Sequence, residues 1–156
     1  MSSIPTSAIF RWASALGFGI FLGLSLFTFH FAEGLSYLSN DPAACKNCHI
    51  MNDQYDSWVK SSHHGVATCN DCHVPPTFPD KYFVKAENGW HHSQAFTLQR
   101  FHEPIRIRQS NLQELQHNCI RCHSVAVGEI ATHRDVEMGD ARCTQCHRSV
   151  GHMTTN

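Results

Sequence analysis

The chain has 156 residues, a length that suits one domain and not comfortably two. Its 12 Lys and Arg residues nearly balance its 13 Asp and Glu residues, so no basic surface points to a nucleic-acid partner. The unusual counts are eight cysteines and thirteen histidines, which make cysteine and histidine chemistry the main signal.

The first predicted element is an apolar segment near the N-terminus. Residues 12–32 contain no Asp, Glu, Lys or Arg, and 21 helical residues are about 31 Å long, enough to cross a bilayer core. A cleaved signal peptide would need small residues at a cleavage site, where this chain has bulky Phe and His. A buried core helix is the other alternative. We predict an uncleaved transmembrane anchor over 12–32, between a cytoplasmic segment 1–11 and a domain 33–156.

All eight cysteines fall into four C-x-x-C-H units. Two residues between the cysteines let both sulfurs reach the vinyl groups of one porphyrin, and the next histidine presents its imidazole to the iron. The units are Cys45, Cys48 and His49; Cys69, Cys72 and His73; Cys119, Cys122 and His123; Cys143, Cys146 and His147.

Other uses of C-x-x-C pairs fit this pattern less well. Zinc ribbons and disulfides do not need a histidine after every pair, yet every pair here has one. A thioredoxin-type redox motif occurs singly in a βαβ setting, which is absent here. The units therefore predict four covalently bound haem c groups. Because such haem is attached outside the bacterial cytoplasm, we expect a single-pass protein of the bacterial cytoplasmic membrane, with its N-terminus inside and its haem domain on the periplasmic face.

The spacing of the units predicts two haem pairs. Their first cysteines are 24, 50 and 24 residues apart, so the pairs cover 45–73 and 119–147. Segments of this size cannot enclose four porphyrins in a conventional core, so the haems must themselves form the core. We predict a mainly α fold with little regular structure. Within it, Asp41 and Pro42 predict a helix start, and Ser110 with Gln113 predicts a capping box for a helix that runs into Cys119.

The second axial ligands must come from histidines outside the motifs. His64 lies five residues before Cys69, and His152 lies five residues after His147, so these two are the first candidates. His63 and His133 come next, and a surface position is the alternative for each.

A segment without haem motifs, about 78–101, separates the two pairs. It interleaves aromatic residues with Lys and His, which suits a helix at the lipid headgroup boundary, although a helix that merely covers haem is the alternative. Cys45 follows the anchor by only 13 residues, at most roughly 45 Å, so the first haem lies near the bilayer. A quinol is then the expected electron donor, and its oxidation needs a proton-accepting group. Lys85 and His92, with His91 as a substitute, are the candidates.

The anchor, the four units and the run "CHIMNDQY…SSHH…C…CH…KAENGWHHSQAFTL" resemble the NapC/NirT family of membrane cytochrome c quinol dehydrogenases. Within that family, the short chain and its C-x-x-C-H-x-M unit are similar to the NrfH branch. The resemblance implies a function in which menaquinol is oxidised and electrons pass to a pentahaem NrfA-like nitrite reductase that makes ammonium.

The resemblance also implies roles for single residues. Met51 would ligate the first haem in place of His49, and Lys85 matches a lysine associated with quinol binding. Taken alone, Met51 could equally be a core filler. His92 stands where the family often has an aspartate.

The remaining haem ligands follow from the same resemblance. It implies His64 as the distal ligand of the fourth haem and His152 as that of the third. The second haem would have His73 on one face and a lysine of the partner subunit on the other.

Two other functions remain open at this stage. A related chain could feed another periplasmic reductase, for nitrate, an N-oxide or a hydroxylamine-oxidoreductase-like protein. A tethered electron carrier or redox sensor would have no quinone site, but it would need neither the insertion at 78–101 nor a first haem close to the bilayer.

Overall fold

The computed structural model describes residues 5–133, 136, 139 and 141–152, without the side chain of residue 132. The chain divides into two compact units, one that ends at Ser36 and one that begins at Tyr37. In chain order the α-helices are α1 Thr6–Phe31, α2 Asn52–Val59, α3 Cys69–His73, α4 Asp80–Thr97, α5 Gln109–Glu129 and α6 Cys143–Cys146. Short 3₁₀ helices cover Gly34–Leu38, Pro42–Asn47, His49–Met51 and Ala131–His133.

Helix α1 forms the first unit. It has 26 residues and a mean hydropathy of 1.7, and none of its residues is buried. Among the described residues it is the one helix long and apolar enough to cross a membrane. The helix begins six residues before the predicted anchor 12–32. The anchor was defined as a run without charged residues and so starts after Arg11, whereas the backbone is helical from Thr6. Part of the predicted segment 1–11 lies outside the described residues.

The second unit is helical and has little hydrophobic core. The described part of the chain contains no strand, which confirms the prediction of a mainly α fold. Its buried apolar residues are Trp58, Val74, Val127 and Val136, and no described side chain falls below 2% exposure. A polypeptide that buries so little apolar surface gains little hydrophobic stabilisation from its own side chains. Something other than protein must therefore supply the core.

Helices α3 and α5 are joined by a buried amide. The Asn118 side chain is 5% exposed and donates to the carbonyl oxygens of Cys72, at 3.0 Å, and Val74, at 2.9 Å. From the next turn of α5, Arg121 donates to the Asn118 side-chain oxygen and to the carbonyl of Asp71. These contacts fix the second C-x-x-C-H unit against the helix that carries the third.

The two local helix signals had different outcomes. The Asp41 carboxylate accepts a hydrogen bond from the Ala43 N–H at 2.8 Å and caps the 3₁₀ helix that begins at Pro42, as predicted. The capping box at Ser110 was wrong. Helix α5 starts two residues earlier, with Arg108 as N-cap, so Ser110 lies inside the first turn and no side chain caps the helix.

The role of Asn118 can be tested by changing its amide to a carboxylate. We expect Asn118→Asp to destabilise the protein by roughly 2–4 kcal/mol, because it removes the donor to two carbonyls and buries a charge. The measurement is thermal unfolding of the detergent-solubilised protein by circular dichroism. Gln113→Glu makes the same chemical change on the exposed side of α5 and should have little effect. Equal midpoints for the two variants would contradict the assignment.

Candidate functional site: four haem-attachment units

The second C-x-x-C-H unit is itself a short helix whose N-terminus is capped. Helix α3 runs from Cys69 to His73, and the Asp71 carboxylate accepts hydrogen bonds from the backbone N–H of Thr68, at 2.8 Å, and from its hydroxyl, at 2.7 Å. These bonds lower the pKa of Asp71, so the cap persists at neutral pH. The cap holds both cysteines and the histidine in one rigid turn.

Helix α5 positions the third and fourth units together. It contains the third unit, and at His123 its backbone leaves helical geometry, with φ −109° and ψ 21°. One turn before that unit, Gln116 accepts a hydrogen bond from the N–H of Cys143 at 3.0 Å. Its amide also donates to the carbonyl of Ala141 at 3.5 Å. A single side chain thus docks the start of α6 onto α5.

The first cysteines of the units meet in two pairs. The Cys45 and Cys69 thiols lie close enough to interact, and so do the Cys119 and Cys143 thiols. Burial is the main cause that raises the pKa of Cys119 to about 11. All eight cysteines are free. The structure therefore brings together units that are 24 residues apart in the sequence.

Residues of the first two C-x-x-C-H units line a half-open cavity of about 40 Å³. Its lining residues come from both units and from the C-terminal segment: Cys45, Met51, Gln54, Tyr55, Cys69, His73 and His152. His49 is exposed and does not line this cavity. Of the two candidate ligands in the first unit, only the methionine faces the space next to Cys45.

Histidine rings lie close to one another in three places. Each pair joins a motif histidine with a histidine outside the motifs. The ring centres are 6.0 Å apart in His63 with His123, 6.0 Å in His73 with His152, and 6.2 Å in His133 with His147. Metal–nitrogen bonds are about 2 Å long and each ring centre lies ~1 Å behind its nitrogen, so two imidazoles on opposite sides of one iron have centres about 6 Å apart.

Backbone carbonyls orient two of the outer rings. His63 Nδ1 lies 3.2 Å from the carbonyl oxygen of Val150, and His152 Nδ1 lies 3.0 Å from that of Gln54. An imidazole held at one nitrogen in this way presents the other nitrogen to a metal. Burial, followed by the adjacent His152, lowers the pKa of His73 to about 4, so this ring is neutral, as a ligand must be.

His64, the first choice from the sequence, lies elsewhere. Its ring packs edge-on against Trp58 with 4.6 Å between centres, and the Trp58 indole donates to the carbonyl of Ala67 at 3.0 Å. The turn before α3 thus directs His63, rather than its neighbour, toward a motif histidine. His152 likewise lies next to His73 of the second C-x-x-C-H unit. The family resemblance had implied that His152 would serve the third haem instead.

The donor set fits haem c better than zinc. In the described part of the chain, no three His, Cys, Asp or Glu side chains are grouped so that they could hold one metal ion. Histidines occur instead as facing pairs next to free C-x-x-C thiols. Two axial nitrogens suffice for an iron whose other ligands come from a porphyrin. Such groups would supply apolar contacts that the few buried side chains do not.

The predicted quinol residues lie on one face of α4. Lys85, Gly89 and His92 are four and three residues apart, so they share a face. Lys85 Nζ donates to the carbonyl of Ser39, and the Tyr37 hydroxyl lies 3.4 Å from His92 Nδ1. The chain between Tyr37 and Cys45 leads directly into the first unit. Lys85 and His92 are therefore held beside the segment that precedes the first haem-attachment motif.

Burial shifts the pKa values of Lys85, His92 and Tyr37. Lys85 is 8% exposed, and burial, followed by the nearby Lys81, lowers the pKa of its amine. Burial, followed by the charges of Arg108 and His91, lowers the pKa of His92, which favours its neutral, proton-accepting form. Burial also raises the pKa of Tyr37, so its hydroxyl stays protonated.

His91 has a different environment from His92. It lies 3.7 Å from the Glu87 carboxylate, which also accepts a hydrogen bond from Arg108 at 2.7 Å. Sequence reasoning missed Tyr37, Ser39, Trp58 and Asn118. The first two belong to a linker without any recognisable motif, so only their contacts with α4 reveal them.

Helix α4 also exposes large aromatic side chains. Phe83 is 70% exposed and Trp90 is 68% exposed. They are seven residues apart, so they lie on one face, roughly opposite the face that carries Lys85 and His92. Apolar side chains presented to solvent in this way are typical of an interaction surface.

Sequence comparisons with known proteins agree on the family of this chain. The sequence model of the NapC/NirT cytochrome c family, N-terminal region, matches residues 6–156. The chain is 39% identical to cytochrome c-type protein NrfH of Wolinella succinogenes, over 90% of this chain and 85% of that protein. It is 32% identical to cytochrome c nitrite reductase subunit NrfH of Nitratidesulfovibrio vulgaris, over 78% and 73%.

A solved structure agrees in fold. A chain of the cytochrome c nitrite reductase NrfHA complex bound to the HQNO inhibitor superposes with a TM-score of 0.65 and 29% identity, covering 91% of this chain and 92% of that one. Together with the apolar helix α1, these matches make the protein a single-pass membrane protein with covalently bound haem c. The chain belongs to the NapC/NirT cytochrome c family.

Proposed function

We propose that this protein is a quinol dehydrogenase, the membrane-bound electron-transfer subunit of a nitrite reductase complex. It takes electrons from menaquinol and delivers them to a periplasmic pentahaem NrfA-like reductase, which converts nitrite to ammonium. The observation that carries the proposal is the contact of Lys85 and His92 with the segment that enters the first of four haem-attachment units. The names of two NrfH relatives and of the solved NrfHA complex support the choice of partner.

The proposed topology follows from haem attachment. Residues 1–11 lie in the cytoplasm, 12–32 cross the cytoplasmic membrane, and 33–156 form the haem domain on the periplasmic side, where c-type haem is attached. The exposed Phe83 and Trp90 of α4 support a position of the segment 78–101 at the headgroup boundary. A quinol leaving the bilayer would then meet α4 first.

The eight cysteines would hold four haem groups, and ligands on this chain would bind their irons. When bound, these groups accept single electrons and conduct them toward the partner. Met51 serves the first unit, because it lines the cavity beside Cys45 while His49 is exposed. His152 faces His73 of the second unit, and His63 faces His123 of the third.

Quinol oxidation releases two protons and two electrons, and residues of α4 accept the protons. Lys85, held by the Ser39 carbonyl, donates a hydrogen bond that orients a quinol oxygen. His92 donates through Nδ1 to Tyr37 and accepts a proton at its other nitrogen, one proton at a time. His91, exposed and next to Glu87, is the second acceptor and passes protons to water on the haem side.

The partner can be identified directly. We expect the protein, purified from native membranes in mild detergent, to bring with it a multihaem nitrite reductase that mass spectrometry identifies. The preparation should reduce nitrite with a menaquinol analogue as donor, and HQNO should inhibit it. Recovery of a nitrate or N-oxide reductase instead would contradict the proposed partner but not quinol oxidation.

Lys85 is tested by Lys85→Met, which keeps the length of the side chain and removes its charge. We expect the rate of haem reduction by a quinol analogue to fall by about 100-fold, because the substrate loses its hydrogen-bond donor. Reduction by dithionite and the haem content should not change. Lys60→Met removes an exposed lysine from the same domain and is the matched control. A wild-type rate in Lys85→Met would remove this residue from the mechanism.

The ligand of the first unit is tested by comparing Met51→Ala with His49→Ala. We expect Met51→Ala to change the spectrum of one haem and to lower its midpoint potential, since a thioether raises the potential relative to stronger donors. His49→Ala should leave the spectrum unchanged, and intact mass should confirm four haems in both variants. The opposite result would make Met51 a core filler.

A further inference from the structure

We propose that Asn70, which lies between the two cysteines of the second C-x-x-C-H unit, is a positioning residue for Lys85. Its side-chain amide donates to the carbonyl oxygen of Ser39 at 3.2 Å, and Lys85 Nζ donates to the same oxygen. Asn70 thus acts on the lysine through a shared acceptor. The inference rests on the proposed function in assigning quinol binding to Lys85.

The backbone segment that both side chains reach has few other anchors. Ser39 and Asn40 are exposed, so burial of apolar surface does not fix them. The Asn70 amide also donates to the Asn40 side-chain oxygen at 3.1 Å. The Ser39 hydroxyl accepts a hydrogen bond from the Asp41 N–H at 3.0 Å, where the chain enters the helix that begins at Pro42. The two bonds from Asn70 therefore fix where the Ser39 carbonyl lies.

An asparagine suits this position because of the chemistry of its side chain. The amide carries two N–H donors, so one side chain can bind two oxygens at once. Serine and threonine offer one donor, and a carboxylate offers none and would repel both oxygens. The next residue, Asp71, is an acceptor and caps α3. The two residues between the cysteines thus have opposite roles, since one accepts bonds within the helix and the other donates outside it.

Asn70 can position a distant group because α3 is itself held at both ends. The Asp71 carboxylate caps the N-terminus of the helix, and the Asn118 amide binds two carbonyls near its C-terminal end. Helix α3 has only five residues, so Asn70 lies within one turn of both anchors. The position of α3 is therefore passed to Lys85 by two successive hydrogen bonds that share the Ser39 carbonyl.

The shared carbonyl leaves Lys85 able to bind a substrate. An ammonium group has three N–H donors, and Ser39 accepts one of them, so two remain for a quinol oxygen. A lysine side chain without a partner has many rotamers, and an acceptor at a fixed place selects one of them before the substrate arrives. Asn70 contributes to this preorganisation by holding the acceptor still.

The first test measures the amine of Lys85 and needs no quinol. The full chain is purified in detergent with its haems attached, and intact mass establishes four haems in each variant. In Asn70→Ala we expect Lys85, which is 8% exposed, to react with acetic anhydride about 10-fold faster, because the segment over it opens more often. Peptide mass spectrometry gives the rate at each lysine, and the exposed Lys60 should keep its rate.

The second test asks whether Asn70 acts on quinol oxidation through Lys85. Asn70→Ala should lower the rate of haem reduction by a quinol analogue about 10-fold. In the Lys85→Met background the same substitution should change the rate by less than about twofold, because the group that it positions is gone. A general structural defect would lower the rate in both backgrounds. Reduction by dithionite should be equal in all variants.

The control for changes inside a haem-attachment motif is Thr144→Ala. It alters the same position of the fourth C-x-x-C-H unit and should leave the reactivity of Lys85 unchanged. If Asn70→Ala does not mature with four haems, Asn40→Ala replaces it, since it removes one of the two acceptors outside any motif. We expect Asn40→Ala to raise the reactivity of Lys85 by about threefold.

The outcomes separate the proposal from the proposed function. An unchanged reactivity of Lys85 in a variant that carries four haems would overturn the role of Asn70. Equal losses of quinol oxidation in the two backgrounds would also overturn it. A more reactive Lys85 amine, together with a wild-type quinol rate in Lys85→Met, would support the positioning contact and count against the proposed quinol site instead.

Discussion

The structure depends on one constraint: the compact unit that begins at Tyr37 has almost no hydrophobic core of its own. Only four apolar side chains are buried in the described residues, so side-chain packing alone cannot hold the second unit together. The short C-x-x-C-H turns are where covalently attached haem replaces that packing. Each turn is built separately, by the Asp71 cap, by the length of α5, or by the docking of α6 through Gln116. Cofactor attachment and folding are therefore coupled.

The few buried polar contacts connect the units rather than fill a core. Asn118 connects the second C-x-x-C-H unit to α5, which carries the third. Gln116 connects α5 to the fourth C-x-x-C-H unit. On the other side, Lys85 and His92 of α4 reach the linker before the first unit. A residue far from any motif can thus affect an electron path, because it sets the position of a motif that has no core of its own.

Much of this organisation could be predicted from the sequence. The mainly α fold and the apolar helix follow from composition and motif spacing, and the family follows from the resemblance of the motifs. The structure and the comparisons confirm all three. One local prediction was wrong: α5 starts at Gln109 without the capping box at Ser110. The helix that contains the predicted anchor 12–32 begins at Thr6. Hydropathy and single capping residues report local preference, whereas a helix extends as far as its backbone hydrogen bonds allow.

The sequence by itself determined where haem attaches, because the reach of two sulfurs and one imidazole to a porphyrin is a local property of five residues. Only the tertiary structure decided which distant histidine faces which motif histidine. His63 and His64 are neighbours, and one packs on Trp58 while the other faces His123. Likewise Tyr37 and Ser39 carry no motif, and only α4 gives them a role beside Lys85 and His92. Such choices depend on the direction of a turn and on the packing of separate helices, which residue spacing along the chain does not encode.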